Sequence, residues 1–186
     1  MVDPIRVFAF CGSLRKGSFN RMALRAAEEL APPAMAFEGC DIGEMPLYNE
    51  DVRAKGFPPP VEAMRERIRA ADAVLFVTPE YNYSIPGVLK NAIDWASRPP
   101  DQPFAGKPAA IMGASPSMLG SARAQYHLRQ SCVYLNMFLV NQPEVMIAAA
   151  DKKFDADGRL TDEPTRKFIA KLLVALADWT RRLEAS

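Results

Sequence analysis

One run, Ala73-Val-Leu-Phe-Val-Thr78, constrains this chain more than any other. It is apolar almost without a break. A strand with one wet face alternates apolar and polar side chains, and this run does not, so both of its faces must be covered. A strand covered on both sides belongs inside a sheet with a layer of helices above and below it. In one chain that means parallel strands joined by helical crossovers. The remaining sequence supplies them. Ile5 to Cys11 reads as a first strand, Met35 to Phe37 as a short second, Pro108 to Ala114 as a fourth and Glu144 to Ala148 as a fifth. Asn20 to Leu30, Val61 to Ala71, Val88 to Ser97 and Ala122 to Cys132 read as the intervening helices, with Asn20 as the expected N-cap of the first. Thr161 to Leu183 is a long amphipathic helix, with Phe168, Leu172, Leu173, Leu176 and Trp179 as its expected buried stripe. The whole, residues 1–186, is expected to form one domain.

In such sheets ligands sit beyond the carboxyl ends of the strands. Three loops fall there: residues 11–20, 79–87 and 114–121. The first, Cys11-Gly-Ser-Leu-Arg-Lys-Gly-Ser-Phe-Asn20, runs from a strand into a helix N-terminus. The first N–H groups of a helix lack partners within it, and its dipole places partial positive charge there. Gly12 and Gly17 let the backbone curl towards a ligand, Ser13, Ser18 and Asn20 offer hydrogen bonds, and Arg15 adds a charge. The loop reads as a phosphate cradle. It lacks the Gly-Lys-Ser/Thr ending of a triphosphate loop. It also lacks the arginine a cysteine phosphatase needs six residues after its nucleophile, since position 17 is glycine; Cys11 therefore reads as a small packed residue. The second loop, Pro79-Glu80-Tyr81-Asn82-Tyr83, places two aromatic faces beside amide donors, which suits a planar heteroaromatic ring. Together the two loops favour a nucleotide with a flat ring.

Charge and composition exclude other classes. Lys+Arg number 23 against 22 Asp+Glu, and a net charge of +1 does not support a charge-held nucleic-acid binder or a membrane-surface protein. The three cysteines, at 11, 40 and 132, have neither metal-site nor disulfide-scaffold spacing, and no secretory leader or membrane span is visible. A cytoplasmic location is the expectation. The single histidine, His127, has no Ser-His-Asp set around it and reads as a surface or interface residue.

Gly12-Ser-Leu-Arg-Lys-Gly-Ser-Phe-Asn20 and Pro79-Glu-Tyr-Asn-Tyr-Ser-Ile-Pro-Gly-Val-Leu-Lys-Asn-Ala-Ile-Asp-Trp95 resemble the two signatures of the NADPH-dependent FMN reductase family. Within that family the chain is most similar to bacterial quinone and chromate reductases. The likeness covers nearly the whole chain. It implies a flavodoxin-like α/β three-layer sandwich, with a five-stranded parallel sheet in the order 2-1-3-4-5, and non-covalent FMN. By matching positions it implies that Ser13, Arg15, Ser18, Phe19 and Asn20 hold the FMN phosphate. Pro79, Glu80, Tyr81, Asn82 and Tyr83 then border the ribityl chain and the ring, with Ser115 beside the ring. The third loop departs from the glycine-rich family pattern at Pro116 and Ser117, which bears on the substrate mouth.

The implied activity is NAD(P)H-dependent, FMN-mediated transfer of two electrons to quinones by a ping-pong cycle. NADPH or NADH is the co-substrate, and chromate, azo and nitro compounds are side acceptors. The flavin carries the chemistry, so no catalytic side chain and no metal are expected. The resemblance also implies a homodimer or homotetramer, with Arg123, Tyr126 and Glu144 as interface candidates and Tyr83 near them. Two rivals stand beside this reading. One is a flavodoxin-like FMN electron carrier without a nicotinamide site, against which the near-neutral charge counts. The other is an FMN-free phosphate-binding module.

Overall fold

Every residue of the strand Ala73–Val77 is buried, and it lies at the centre of a parallel sheet. The computed structural model describes residues 4–185. In chain order the elements are β1 (Ile5–Cys11), α1 (Phe19–Leu30), β2 (Met35–Glu38), α2 (Glu50–Arg53), α3 (Pro59–Ala70) and β3 (Ala73–Val77). There follow α4 (Gly87–Ala96), β4 (Pro108–Ala114), α5 (Ala122–Tyr134), β5 (Phe138–Leu139), β6 (Val145–Ile147) and α6 (Glu163–Glu184). The sheet order is β2-β1-β3-β4-β5, with all pairings parallel and β6 also on β4.

The period of two along each strand builds two cores. On one face Val7, Ala9, Leu75, Val77, Ala110 and Met112 meet α1 and α6 through Ala23, Ala27, Ile169 and Leu173. On the other, Phe8, Phe10, Val74, Phe76 and Ile111 meet α3, α4 and α5 through Val61, Ile68, Leu89, Ile93 and Leu128. Phe10 stacks on Phe76 with centroids 5.0 Å apart, pinning the β1–β3 register. Each buried Val, Leu, Ile, Phe or Met side chain among these contributes roughly 1.5–3 kcal/mol. That holds rigid the strand ends from which the three loops spring.

The structure corrects the sequence reading in three places. The fifth strand is split: β5 pairs with the start of β4 at Pro108↔Phe138, and β6 with its end at Met112↔Val145. Asn141-Gln142-Pro143 lies between them, and Pro143 has no N–H to continue a ladder. The N-cap of α1 is Ser18, not Asn20; its hydroxyl accepts from the N–H of Asn20 at 3.1 Å. In α6 the buried stripe is Thr165, Ile169, Leu172, Leu173, Leu176, Ala177 and Thr180. Phe168 and Trp179 lie on its flank: Phe168 is 50% exposed, and Trp179 donates its ring N–H to Phe138 O at 3.0 Å. The connection from Glu44 to Pro60 contains α2 and is pinned to α4. Asn91 accepts from Tyr48 N at 2.7 Å and donates to Pro46 O at 2.9 Å, which also accepts from Trp95 Nε1 at 2.8 Å. Among the described residues, no helix is long and apolar enough to cross a membrane.

Candidate functional site

The loop after β1 begins with a glycine for a steric reason. The N–H of Gly12 donates to Val77 O at 2.8 Å, which sets the loop against the end of β3. A Cβ at Gly12 would come 3.1 Å from Pro79 Cδ and 3.3 Å from Thr78 Oγ1. Glycine thus lets the first and second loops lie side by side. Ser13 and Ser18 are buried, and Arg15 is exposed, with Cζ 5.9 Å from the ring centroid of Phe19. Phe19 in turn stacks on Phe154. One serine oxygen cannot cap a whole first turn, so α1 keeps N–H donors for an anion at this end. Asn20 is buried, and its carboxamide is committed to the backbone of Ala114.

The second loop is a tight reversal. Tyr81 and Ser84 exchange backbone hydrogen bonds of 3.0 Å, and Asn82 and Tyr83 have φ of 50° and 67°. Two successive left-handed residues are the geometry of a type I′ turn. The turn presents Tyr81 and Tyr83, 51% and 64% exposed. Pro79 is buried, and its carbonyl accepts from Thr78 Oγ1 at 2.8 Å. The carboxylate of Glu80 points away from the turn tip, onto the start of α5.

The third loop leaves β4 through Gly113 and Ala114. A Cβ at Gly113 would fall 2.1 Å from Thr78 O and 2.2 Å from Ser121 Oγ, so glycine alone lets the second and third loops meet here. Ser115 is partly buried; its N–H donates to Ile147 O at 3.0 Å, and its hydroxyl lies 2.9 Å from Ser117 Oγ. Ala149 N and Ala150 N donate back to Ser117 O and Ser115 O, which ties the Pro116–Ser117 segment to the stretch after β6. Ser13, Arg15, Ser18, Phe19 and Asn20 therefore share one loop and helix start, Pro79 to Tyr83 share the adjoining turn, and Ser115 lies in the third loop.

Sequence reasoning missed Gly113, Thr78 and the bond between Asn20 and Ala114. A glycine inside a strand pattern signals close backbone approach, so Gly113 could have been read. Arg123, expected at a subunit interface, pairs within the chain with Glu80 at 3.0 Å. Tyr126 donates to Glu144 within the chain at 3.2 Å, and that carboxylate raises the phenol's pKa.

Burial disfavours the thiolate at all three cysteines. Burial raises the Cys11 pKa, opposed by the Ser13 backbone and Arg21, and burial pushes Cys40 to about 11 and Cys132 to about 12. All three stay protonated near neutrality. Among the described residues, no cluster of His, Cys, Asp and Glu could hold a metal. A cavity of about 280 Å³ between α1 and the end of β2 is lined by Cys11, Leu14, Arg21, Cys40 and Asp41, and by no residue of the second or third loop.

The description of the NADPH-dependent FMN reductase family matches residues 5–152. The chain belongs to that family. It is 62% identical over 183 residues to an NAD(P)H-dependent FMN reductase of Pseudomonas aeruginosa, covering 98% of this chain and 99% of that one. It is 46% identical to the quinone reductase of Escherichia coli K12, covering 99% and 100%. A flavoenzyme NAD(P)H:(acceptor) oxidoreductase of Paracoccus denitrificans superimposes with a TM-score of 0.86 at 40% identity, covering 97% and 98%. The sheet order and the helices on both faces are those of flavodoxin-like proteins, and Bacillus cereus flavodoxin 1 shares the fold at 12% identity and a TM-score of 0.56.

Proposed function

We propose that this protein is an FMN-dependent NAD(P)H oxidoreductase that delivers two electrons to quinones. The observation that carries the proposal is the meeting of a serine-rich helix N-terminus with a turn bearing two exposed tyrosines, across the Gly12–Pro79 contact. The first suits a phosphate and the second a flat ring, and family membership supports FMN as the molecule that has both. Ser13, Arg15, Ser18 and the free N–H groups of α1 would hold the phosphate, with Phe19 packed behind Arg15. Asn20 would act through Ala114, since its carboxamide is already paired. Pro79 and Glu80 would offer backbone groups to the ribityl chain, Tyr81, Asn82 and Tyr83 would border the ring, and Ser115 would close the third side. Bound FMN supplies two-electron transfer between a nicotinamide and an acceptor. The protein's part is to orient the ring and to leave one side open to reactants.

A ping-pong cycle, with chromate, azo and nitro compounds as side acceptors, belongs to the same proposal. So do a single domain spanning residues 1–186, a cytoplasmic location and a homodimer or homotetramer. The exposed Tyr126, Val133, Tyr134 and Phe138 on and after α5 support assembly through that helix, at 52%, 79%, 82% and 42% exposure.

The test is anaerobic stopped-flow mixing of FMN-loaded protein with NADPH. Loss of oxidised flavin absorbance within the turnover time, and its return on adding a benzoquinone, is expected. A flavin that NADPH and NADH leave oxidised would make the protein an electron carrier instead. In parallel, Arg15→Ala should weaken FMN retention on gel filtration, while protein kept saturated with FMN still turns over.

A further inference from the structure

Helix α5 lacks a cap of its own. Ser121, which precedes it with φ of 71°, gives no side-chain hydrogen bond to its first backbone N–H groups. Glu80 supplies that cap from the second loop. Its Oε2 accepts from the N–H groups of Arg123 at 2.9 Å and Ala124 at 3.2 Å, and its Oε1 accepts from Arg123 Nη1 at 3.0 Å. A carboxylate at a helix N-terminus is favoured by the dipole as well as by the hydrogen bonds. The Glu80 side chain is only 12% exposed, so these bonds are poorly screened. The guanidinium it holds lies over the ring of Tyr83, with Cζ 3.7 Å from the centroid. One turn along the same helix face, His127 Nδ1 lies 3.0 Å from Ser84 Oγ.

The turn therefore has three attachments to one helix. It needs them, because Asn82 and Tyr83 both carry left-handed backbone angles that side chains disfavour. Such a conformation persists only where its surroundings over-determine it.

The geometry points to Glu80 and Arg123 as positioning residues for the ring-facing turn: they fix where Tyr83 stands and set the electrostatic field at the ring. The inference rests on the reading that this site takes FMN. Charge gives it a signature that mere packing lacks. Arg123 and the N-terminus of α5 are positive, and Glu80 offsets both. Removing the carboxylate leaves positive potential beside the turn, which favours the electron-rich, reduced flavin. Removing the guanidinium leaves the carboxylate in excess, which disfavours it. The two substitutions should move the midpoint potential of bound FMN in opposite directions, although both loosen the same turn.

The experiment measures FMN affinity by flavin fluorescence and the midpoint potential of bound FMN, for wild type, Glu80→Gln, Arg123→Met and Arg123→Lys. Glu80→Gln should raise the potential, Arg123→Met should lower it, and Arg123→Lys should restore it towards wild type. Loss of the guanidinium–ring contact should weaken FMN binding by about two- to fivefold. Tyr83→Leu leaves the α5 cap intact and removes the ring under the guanidinium; it should weaken FMN binding at least as much. Potentials that stay put, or that move the same way in Glu80→Gln and Arg123→Met, overturn the inference while leaving FMN at the site. Wild-type protein that takes up no FMN overturns the site reading and the inference together.

Discussion

The carboxamide of Asn20 and the main chain of Ala114 form a closed pair of hydrogen bonds, each 2.9 Å, across 94 residues of sequence. Nδ2 donates to the carbonyl and Oδ1 accepts from the N–H, so both halves of a buried amide are satisfied at once. The pair fastens the first turn of α1 to the end of β4. It thereby fixes the spacing between the phosphate-type loop and the third loop. Asn20→Asp keeps the size but removes the donor, leaving a carboxylate oxygen facing a carbonyl. A stability loss of about 2–3 kcal/mol is expected, the cost of a buried group left unpaired beside a charge. Urea unfolding should show a lower midpoint with an unchanged slope, and FMN affinity should fall with it. An unaltered midpoint would mean that the bond is replaceable.

Gly113 and Gly87 should respond oppositely to alanine. At Gly113 the added methyl would sit 2.1 Å from the backbone oxygen of Thr78, which cannot swing away, and 2.2 Å from Ser121 Oγ. Overpacking of this kind costs about 1–3 kcal/mol and more where backbone must move, so Gly113→Ala belongs at the upper end. At Gly87, the first residue of α4, nothing lies within 4 Å of the new methyl. Gly87→Ala should stabilise by about 0.5–1 kcal/mol through reduced freedom of the unfolded chain and better helix propensity. Thermal unfolding of the two variants against wild type checks both signs.

The fold was legible because its strongest signals are local. Ala73–Val77 could only be a buried parallel strand, and the strand–loop–helix around Ser13 and Ser18 could only begin a helix at its polar end. What escaped the sequence is what depends on distant partners. Glu80 and Arg123 lie 43 residues apart, and the sequence, which places one beside the ribityl chain and the other at an interface, does not reveal that they pair until α5 is folded against the turn. Asn20 reads as a cap because nothing local reveals its partner Ala114. The split of the fifth strand followed from Pro143, which was in plain view, yet periodicity alone does not say that Phe138–Leu139 pairs while the residues after it do not. In α6, Phe168 and Trp179 match the helical period, but the flank of a stripe and its centre look alike until the helix is rotated against the sheet.

Arg65 is a buried guanidinium whose hydrogen bonds go to carbonyls. Nη1 donates to Ala96 O at 2.6 Å and Arg98 O at 2.8 Å, Nη2 donates to Pro100 O at 2.6 Å, and the Phe57 ring lies 4.0 Å from Cζ. Glu62 stands off at 3.8 Å, so the charge is held mainly by peptide dipoles, and burial lowers the Arg65 pKa. These bonds shape the connection from α4 to β4, where prolines 99 and 100 leave few N–H groups to build a turn. Arg65→Met fills much of the volume but orphans those carbonyls, and about 3 kcal/mol should be lost. Arg65→Lys recovers only part, because one ammonium cannot reproduce the planar fork. Hydrogen exchange should show loss of protection concentrated at residues 96–104, with β1 and β3 unaffected at equal denaturant distance from the midpoint.

Asp162 caps the long helix α6 and should govern its acid stability. Its Oδ2 accepts from Thr165 N at 2.9 Å and Thr165 Oγ1 at 2.5 Å, with Lys153 Nζ at 3.7 Å. Those hydrogen bonds from Thr165, aided by Lys153, hold its pKa below the ordinary aspartate value. The folded state therefore binds the proton less readily than the unfolded state does. The cap's contribution is complete above the ordinary aspartate range and is lost as pH falls through that range towards the lower, folded value. Asp162→Ala should cost about 1 kcal/mol at neutral pH, the usual worth of a cap on a largely exposed helix end. The gap between wild type and Asp162→Ala should then close on acidification. Asp162→Asn still accepts from Thr165 but does not titrate, so it should sit near wild type at neutral pH and overtake it in acid. Urea unfolding of the three proteins from pH 7 downwards measures this directly. A gap between wild type and Asp162→Ala that persists at the lowest pH would show that the carboxylate's charge is not what holds the first turn.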